Sequence, residues 1–145
     1  MSTRYWTIFG LVVLIFISTS CKPEPKPIAF GAEVCSSCTM TIVDKQHAAQ
    51  LVTKKGKVYS FDAIECMLRS EQLKEKEKIA LFLCNDYSEP GLMIDATKAT
   101  FLICEAVPSP MGANLSGFAS LKAAKNIAAE HSAVFLTWEE LQEKF

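Results

Sequence analysis

The stretch AAQLVTKKGKVYSFDAIECML, residues 48–68, decides how this chain folds. Two short apolar runs, residues 48–53 and 58–61, flank Lys54-Lys55-Gly56-Lys57. Apolar runs of this length around a polar, glycine-containing connection predict a β-hairpin. Asp62 follows, with Glu65 three residues on, which is the spacing of a capping box at a helix start. Ile64, Met67, Leu68 and Leu73 supply the apolar stripe of that helix, and residues 79–84 (IALFLC) read as a buried strand. The unit is therefore β-β-α-β.

Working outward, the same pattern recurs. Residues 85–91, punctuated by Pro90-Gly91, form a joint. Met93-Ile94 and residues 100–104 predict two more strands, and a long loop through Pro108, Pro110 and Gly117 leads into a second helix. Leu121, Ala124, Ile127 and Ala128 mark its apolar face, and residues 133–136 give the last strand. Thr137 and Glu140 form another capping-box pair, opening a short C-terminal helix. Phe61 and Phe118 stand at equivalent strand-to-helix corners. The expected fold class is α+β, with two small ββαβ units in tandem, residues 32–88 and 89–145, packed as one compact protein.

The chain has 145 residues and a formal net charge of −1, so it offers no basic field for a nucleic-acid partner. Residues 1–20 read as an export signal: Arg4 gives the positive start, residues 8–17 a run of ten apolar side chains, and Ser18-Thr19-Ser20 the small residues before a cleavage point. A run of that length is short for a transmembrane helix, which needs about twenty residues. An uncleaved anchor helix starting near Tyr5 is the competing reading. Cys21 then resembles the acylated cysteine of a lipoprotein box, although Ser18 stands where an aliphatic residue is usual. Acylation there would tie the protein to a membrane without spanning it. Residues 21–31 form the tether, in which Lys22-Pro23-Glu24-Pro25-Lys26-Pro27 alternates proline with charge and favours an extended spacer.

Chemistry concentrates in Cys35-Ser36-Ser37-Cys38-Thr39-Met40, where two thiols and a thioether lie within six residues. Thiolates and thioethers are soft ligands and select Cu(I). The remaining Cys66, Cys84 and Cys104 read as small buried hydrophobes, with Cys84 and Cys104 a candidate bridge. Structural zinc needs four ligands, and no second cysteine pair follows. A thioredoxin-type dithiol sits at a helix N-terminus, whereas Thr41-Ile42-Val43 is a β-branched run. A structural disulfide between Cys35 and Cys38 remains the simplest alternative, but Met40 adds nothing to a disulfide and is a ligand for Cu(I). Met111, in Pro108-Ser109-Pro110-Met111-Gly112, has no packing period, and as a ligand it would fold back from the second unit onto the first. His47 could lend an imidazole as a secondary ligand, although an exposed, uninvolved side chain is the simpler reading for both His47 and His131. Asp62 reads as a helix cap whose place beside Cys66 leaves a further role open. The sequence shows no serine–histidine–acid set, phosphate loop or paired carboxylates, so nothing in it argues for an enzyme.

The order of these features, a lipoprotein signal, Cys-x-x-Cys-x-Met, Phe61-Asp62 with Cys66-Met67, Ile94-Asp95-Ala96, Pro110-Met111-Gly112 and Phe118-Ala119, resembles the NosL family over about residues 32–141. The resemblance implies a fold like that of the organomercurial lyase and one Cu(I) held by Cys35, Cys38, Met40 and Met111. It also implies a metallochaperone facing the periplasm, working with a membrane ABC-type complex and supplying copper to nitrous oxide reductase. The family usually has glycine where Thr39 stands, and a β-branched residue resists positive φ. The local turn is therefore expected to differ. Two other function classes compete: an extracytoplasmic thiol–disulfide protein using Cys35 and Cys38, and a non-catalytic membrane-anchored assembly factor with an inert disulfide.

Overall fold

A computed structural model describes residues 22–145. The export signal and Cys21 lie outside the described residues. Strands β1 (Ala49–Thr53) and β2 (Val58–Phe61) form the expected antiparallel hairpin, in register from Ala49 opposite Phe61 to Val52 opposite Val58. Gly56 takes φ 81 in the turn, which a residue without Cβ does at no steric cost. Helix α1 (Ile64–Leu68) and a 3-10 stretch (Glu71–Lys78) lead into β3 (Ile79–Asn85). β3 returns to pair antiparallel with β1, and β4 (Met93–Asp95) adds to the far edge, giving the order β2-β1-β3-β4.

The second unit runs β5 (Thr100–Ile103), β6 (Leu115–Phe118), α2 (Leu121–Ala128) and β7 (Val134–Leu136), in sheet order β6-β5-β7. In both units the first strand lies between the second and the last, so the duplication is one of topology. Helix α3 (Trp138–Lys144) closes the chain with the Thr137–Glu140 capping box in place. Two details depart from the sequence reading. Met93-Ile94 pairs with β3 of the first sheet, and the strand partner of β5 is Leu115–Phe118, inside the stretch read as loop. That strand is four residues long and contains Gly117, so its period is too short and too interrupted to register.

The two sheets share one core. Ile42, Leu51, Phe61, Ile64 and Met67 of the first unit pack with Phe101, Leu115, Trp138 and Leu141 of the second. Each such large apolar side chain, fully withdrawn from water, contributes about 1.5–3 kcal/mol. At Gly117 the units approach closely: a Cβ there would sit 2.8 Å from Cys84 Sγ. Leu102, Cys104, Phe118 and Ala124 form a smaller cluster under α2. All five cysteines in the described residues are free, and the suspected Cys84–Cys104 bridge is absent because the two fall in different clusters. The tether is laid against the fold at its C-terminal end, where Gln50 Nε2 donates to the Lys26 carbonyl at 2.8 Å.

Candidate metal centre

The segment before β1 folds into a tight loop. Val34 and Thr41 bridge, the Cys35 N–H donates to the Met40 carbonyl at 2.8 Å, and the Thr39 N–H to the Cys35 carbonyl at 3.1 Å. Thr39 takes φ 64, so the turn is left-handed at this position and holds a β-branched residue in that conformation. The Thr39 hydroxyl donates to the Cys38 carbonyl at 2.6 Å, which compensates part of that strain. The Ser36 N–H donates to the Ser60 carbonyl at 2.8 Å, docking the loop onto β2 just before the β2–α1 corner.

That corner supplies the rest of the site. Asp62 does not cap α1: the cap position is Ala63, with no side-chain hydrogen bond. Its carboxylate instead accepts from Cys38 Sγ at 3.5 Å. Cys66, in the first turn of α1, brings a third thiol. The ligand atoms of Cys35, Cys38, Asp62 and Cys66 all lie within 4.8 Å of one another. Cys35, Asp62 and Cys66 are buried, and Cys38 is half-buried at the opening.

Burial pushes the Cys38 thiol above its ordinary range, aided by Cys35 and Asp62 and opposed by the Met40 backbone. Cys66 is pushed well above the thiol range, by burial first and then by Asp62. Both are neutral thiols at neutral pH. A metal ion entering the cluster must displace their protons, because the thiolate is the ligand. Cys84, pushed up to about 12 chiefly by burial, lies in the core and is chemically quiet.

The other residues singled out in the sequence are placed differently. Met40 shares the Cys35–Cys38 turn, and its side chain is 54% exposed. Met111, 38% exposed, sits on the loop between β5 and β6. His131 is exposed, as expected, but His47 is not. Its Nδ1 lies 2.9 Å from Asp44 Oδ2 and its Nε2 3.1 Å from Ser116 Oγ, so both ring nitrogens are occupied and the imidazole pins β6 to the first unit. This is a serine–histidine–acid chain that spacing did not reveal. Ser116 is fully buried, however, and the set has no access for a substrate.

From spacing alone Cys66 reads as core filler, which leaves too few donors for a four-ligand site. The structure assembles three thiols and a carboxylate. The signal available was the spacing Asp62-x-x-x-Cys66, which puts both groups at one strand-to-helix corner. Among the described residues no helix is long and apolar enough to cross a membrane.

Fold and cluster together define a small α+β protein with a thiol-dominated site suited to a soft metal ion. The NosL family model matches residues 27–145, and the chain belongs to this family. It is 27% identical, over 91% of its length and 77% of the relative's, to the copper-binding lipoprotein NosL of Stutzerimonas stutzeri. The crystal structure of the copper chaperone NosL from Shewanella denitrificans superposes with a TM-score of 0.68 at 20% identity. That match covers 82% of this chain and 96% of the other, and confirms the fold.

Proposed function

We propose that this chain is an exported, lipid-anchored carrier of Cu(I) that supplies copper for the maturation of nitrous oxide reductase. The observation that carries the reading is the convergence of Cys35, Cys38 and Cys66 around one point beside Asp62. Three sulfur donors suit a soft monovalent ion. Relatives described as a copper-binding lipoprotein and a copper chaperone support the same cargo. Cys21 is the acylation point, and the tether 21–31 carries the domain on the periplasmic side of a membrane. An ABC-type membrane complex is the source or co-handler of the ion.

Cys38 is the half-buried thiol; the exposed Met40 lies two residues on in the same turn, and the exposed Met111 lies on the loop between β5 and β6. Cu(I) arrives on the exposed sulfurs and passes inward, and each thiol that becomes a ligand releases its proton to water. Delivery reverses the order by ligand exchange with the acceptor. The thiol–disulfide alternative is weakened by the same geometry. A redox cysteine needs a depressed pKa at a helix N-terminus, whereas Cys38 lies in a loop and is shifted upward.

The test is titration of the purified reduced chain with Cu(I) without oxygen, against a chromophoric chelator, with Zn(II) as competitor. One tightly held equivalent, lost when Cys35 and Cys38 become serine, is expected. No binding, or binding indifferent to those substitutions, would overturn the proposal.

A further inference from the structure

Glu65 is a fully buried carboxylate inside the apolar run Ile64, Cys66, Met67, Leu68. Burying a carboxylate is costly unless it is hydrogen-bonded, so fold stability alone would favour an apolar side chain there. Its Oε1 accepts from Ser109 Oγ and, at 3.4 Å, from the Ala113 N–H. Its Oε2 is buried with no partner among the described residues. The Ser109 hydroxyl in turn accepts from the Leu115 N–H at 3.3 Å, and the Gly112 N–H closes a turn onto the Ser109 carbonyl at 3.0 Å. One carboxylate oxygen thus holds both feet of a loop of the second unit. Met111 stands at its crown, two residues from Ser109 and two from Ala113.

We infer that Glu65 is a positioning residue for the metal centre, clamping the 109–113 loop onto α1 so that the Met111 thioether is held beside the thiols. Chain geometry keeps the loop within reach of the cluster. Cys66 is the next residue after Glu65, about 3.8 Å along the backbone, and two residues of chain span at most about 7 Å from either foot to Met111. Without Glu65 the loop loses the carboxylate oxygen that binds both its feet, and its thioether is less firmly held relative to the cluster. The inference rests on the preceding reading in one respect, that Met111 donates to Cu(I).

The test is a double-mutant cycle on the full chain, reading Cu(I) affinity by chelator competition. Groups that orient a ligand typically contribute about 10–100-fold to metal affinity. Glu65→Ala and Met111→Leu should each lower affinity to that extent, and the double variant no further. X-ray absorption should show one sulfur fewer in Glu65→Ala. Glu65→Gln, which keeps the Oε1 acceptor, should restore affinity. Ser109→Ala removes one foot only and carries the same test should Glu65→Ala fail to fold. Losses that multiply, or a lowered melting temperature with unchanged affinity and sulfur count, would overturn the inference and leave Glu65 a structural anchor. Parent protein that binds no Cu(I) would instead sink the carrier reading beneath it.

Discussion

Cys66 offers the most searching test of the site, because its thiol is either a ligand or packing. Burial and Asp62 hold it well above the ordinary thiol range, so in the apo protein it carries its proton throughout the neutral region. If it ligates, Cu(I) must expel that proton. Affinity then rises with pH, by about tenfold per unit for each proton displaced. Cys38 is shifted in the same direction and contributes a second factor. From pH 6 to 8 these two thiols together should raise affinity by about a hundredfold per unit. In Cys66→Ala the contribution falls to the tenfold of Cys38. Cys35 is common to both proteins and cancels in the comparison. The assay is anaerobic competition with a Cu(I) chelator at several pH values, corrected for the chelator's own protonation, with thermal melting to confirm that the variant is folded. Equal slopes in parent and variant would show that Cys66 keeps its proton when copper binds, and the three-thiol site would be wrong.

Gly117→Ala should destabilise the fold by about 1–3 kcal/mol, the usual cost of overpacking, since its Cβ would meet Cys84 Sγ at 2.8 Å and the Asn85 carbonyl at 3.3 Å. Cys84→Ala in the same chain should recover part of that loss in urea denaturation, and strictly additive effects would contradict the close approach. His47→Phe removes the partner of Asp44 and Ser116 and should cost about 1–3 kcal/mol while leaving Cu(I) affinity unchanged. Loss of affinity in that folded variant would make His47 a ligand after all. Thr39→Gly exchanges a left-handed strain of about 1–3 kcal/mol for a glycine penalty of about 0.5–1 kcal/mol. The melting temperature should therefore rise, and a fall would show that the Thr39 hydroxyl bond to the Cys38 carbonyl outweighs the strain.

What could be read from sequence was whatever depended on neighbours along the chain. The hairpin around Gly56 and the Thr137–Glu140 capping box are local, and both form as the spacing requires. Asp62 and Glu65 have the same three-residue spacing, yet no cap forms. Asp62 is taken by the thiol of Cys38 and Glu65 by Ser109, 24 and 44 residues away. A local preference worth about 1 kcal/mol yields to tertiary partners when the group is buried. Cys66 was hidden for a related reason: in an apolar helical stripe a cysteine looks like any small hydrophobe. Only the docking of the 35–40 loop onto β2, through the Ser36 N–H and the Ser60 carbonyl, shows what it faces. The Asp44–His47–Ser116 chain spans two units and leaves no trace in spacing.

On the carrier reading proposed above, the burial of these thiols has a use. An exposed cluster of low-pKa thiolates would hold Cu(I) more tightly, because no protons would have to be expelled first. Burial of Cys38 and Cys66 raises the cost of forming each thiolate, and every unit of that rise weakens net binding by about tenfold at neutral pH. The donors stay soft and selective while the affinity is tuned downward. When the ion leaves, the returning protons neutralise thiols already in place, so release needs no unfolding of the core. Half-buried Cys38, beside exposed Met40, is then the sulfur at which an acceptor's own soft ligand would begin the exchange. Buried Cys35 and Cys66 would let go last. A site built to retain copper would reverse that arrangement, with its thiols already ionised and its exit closed.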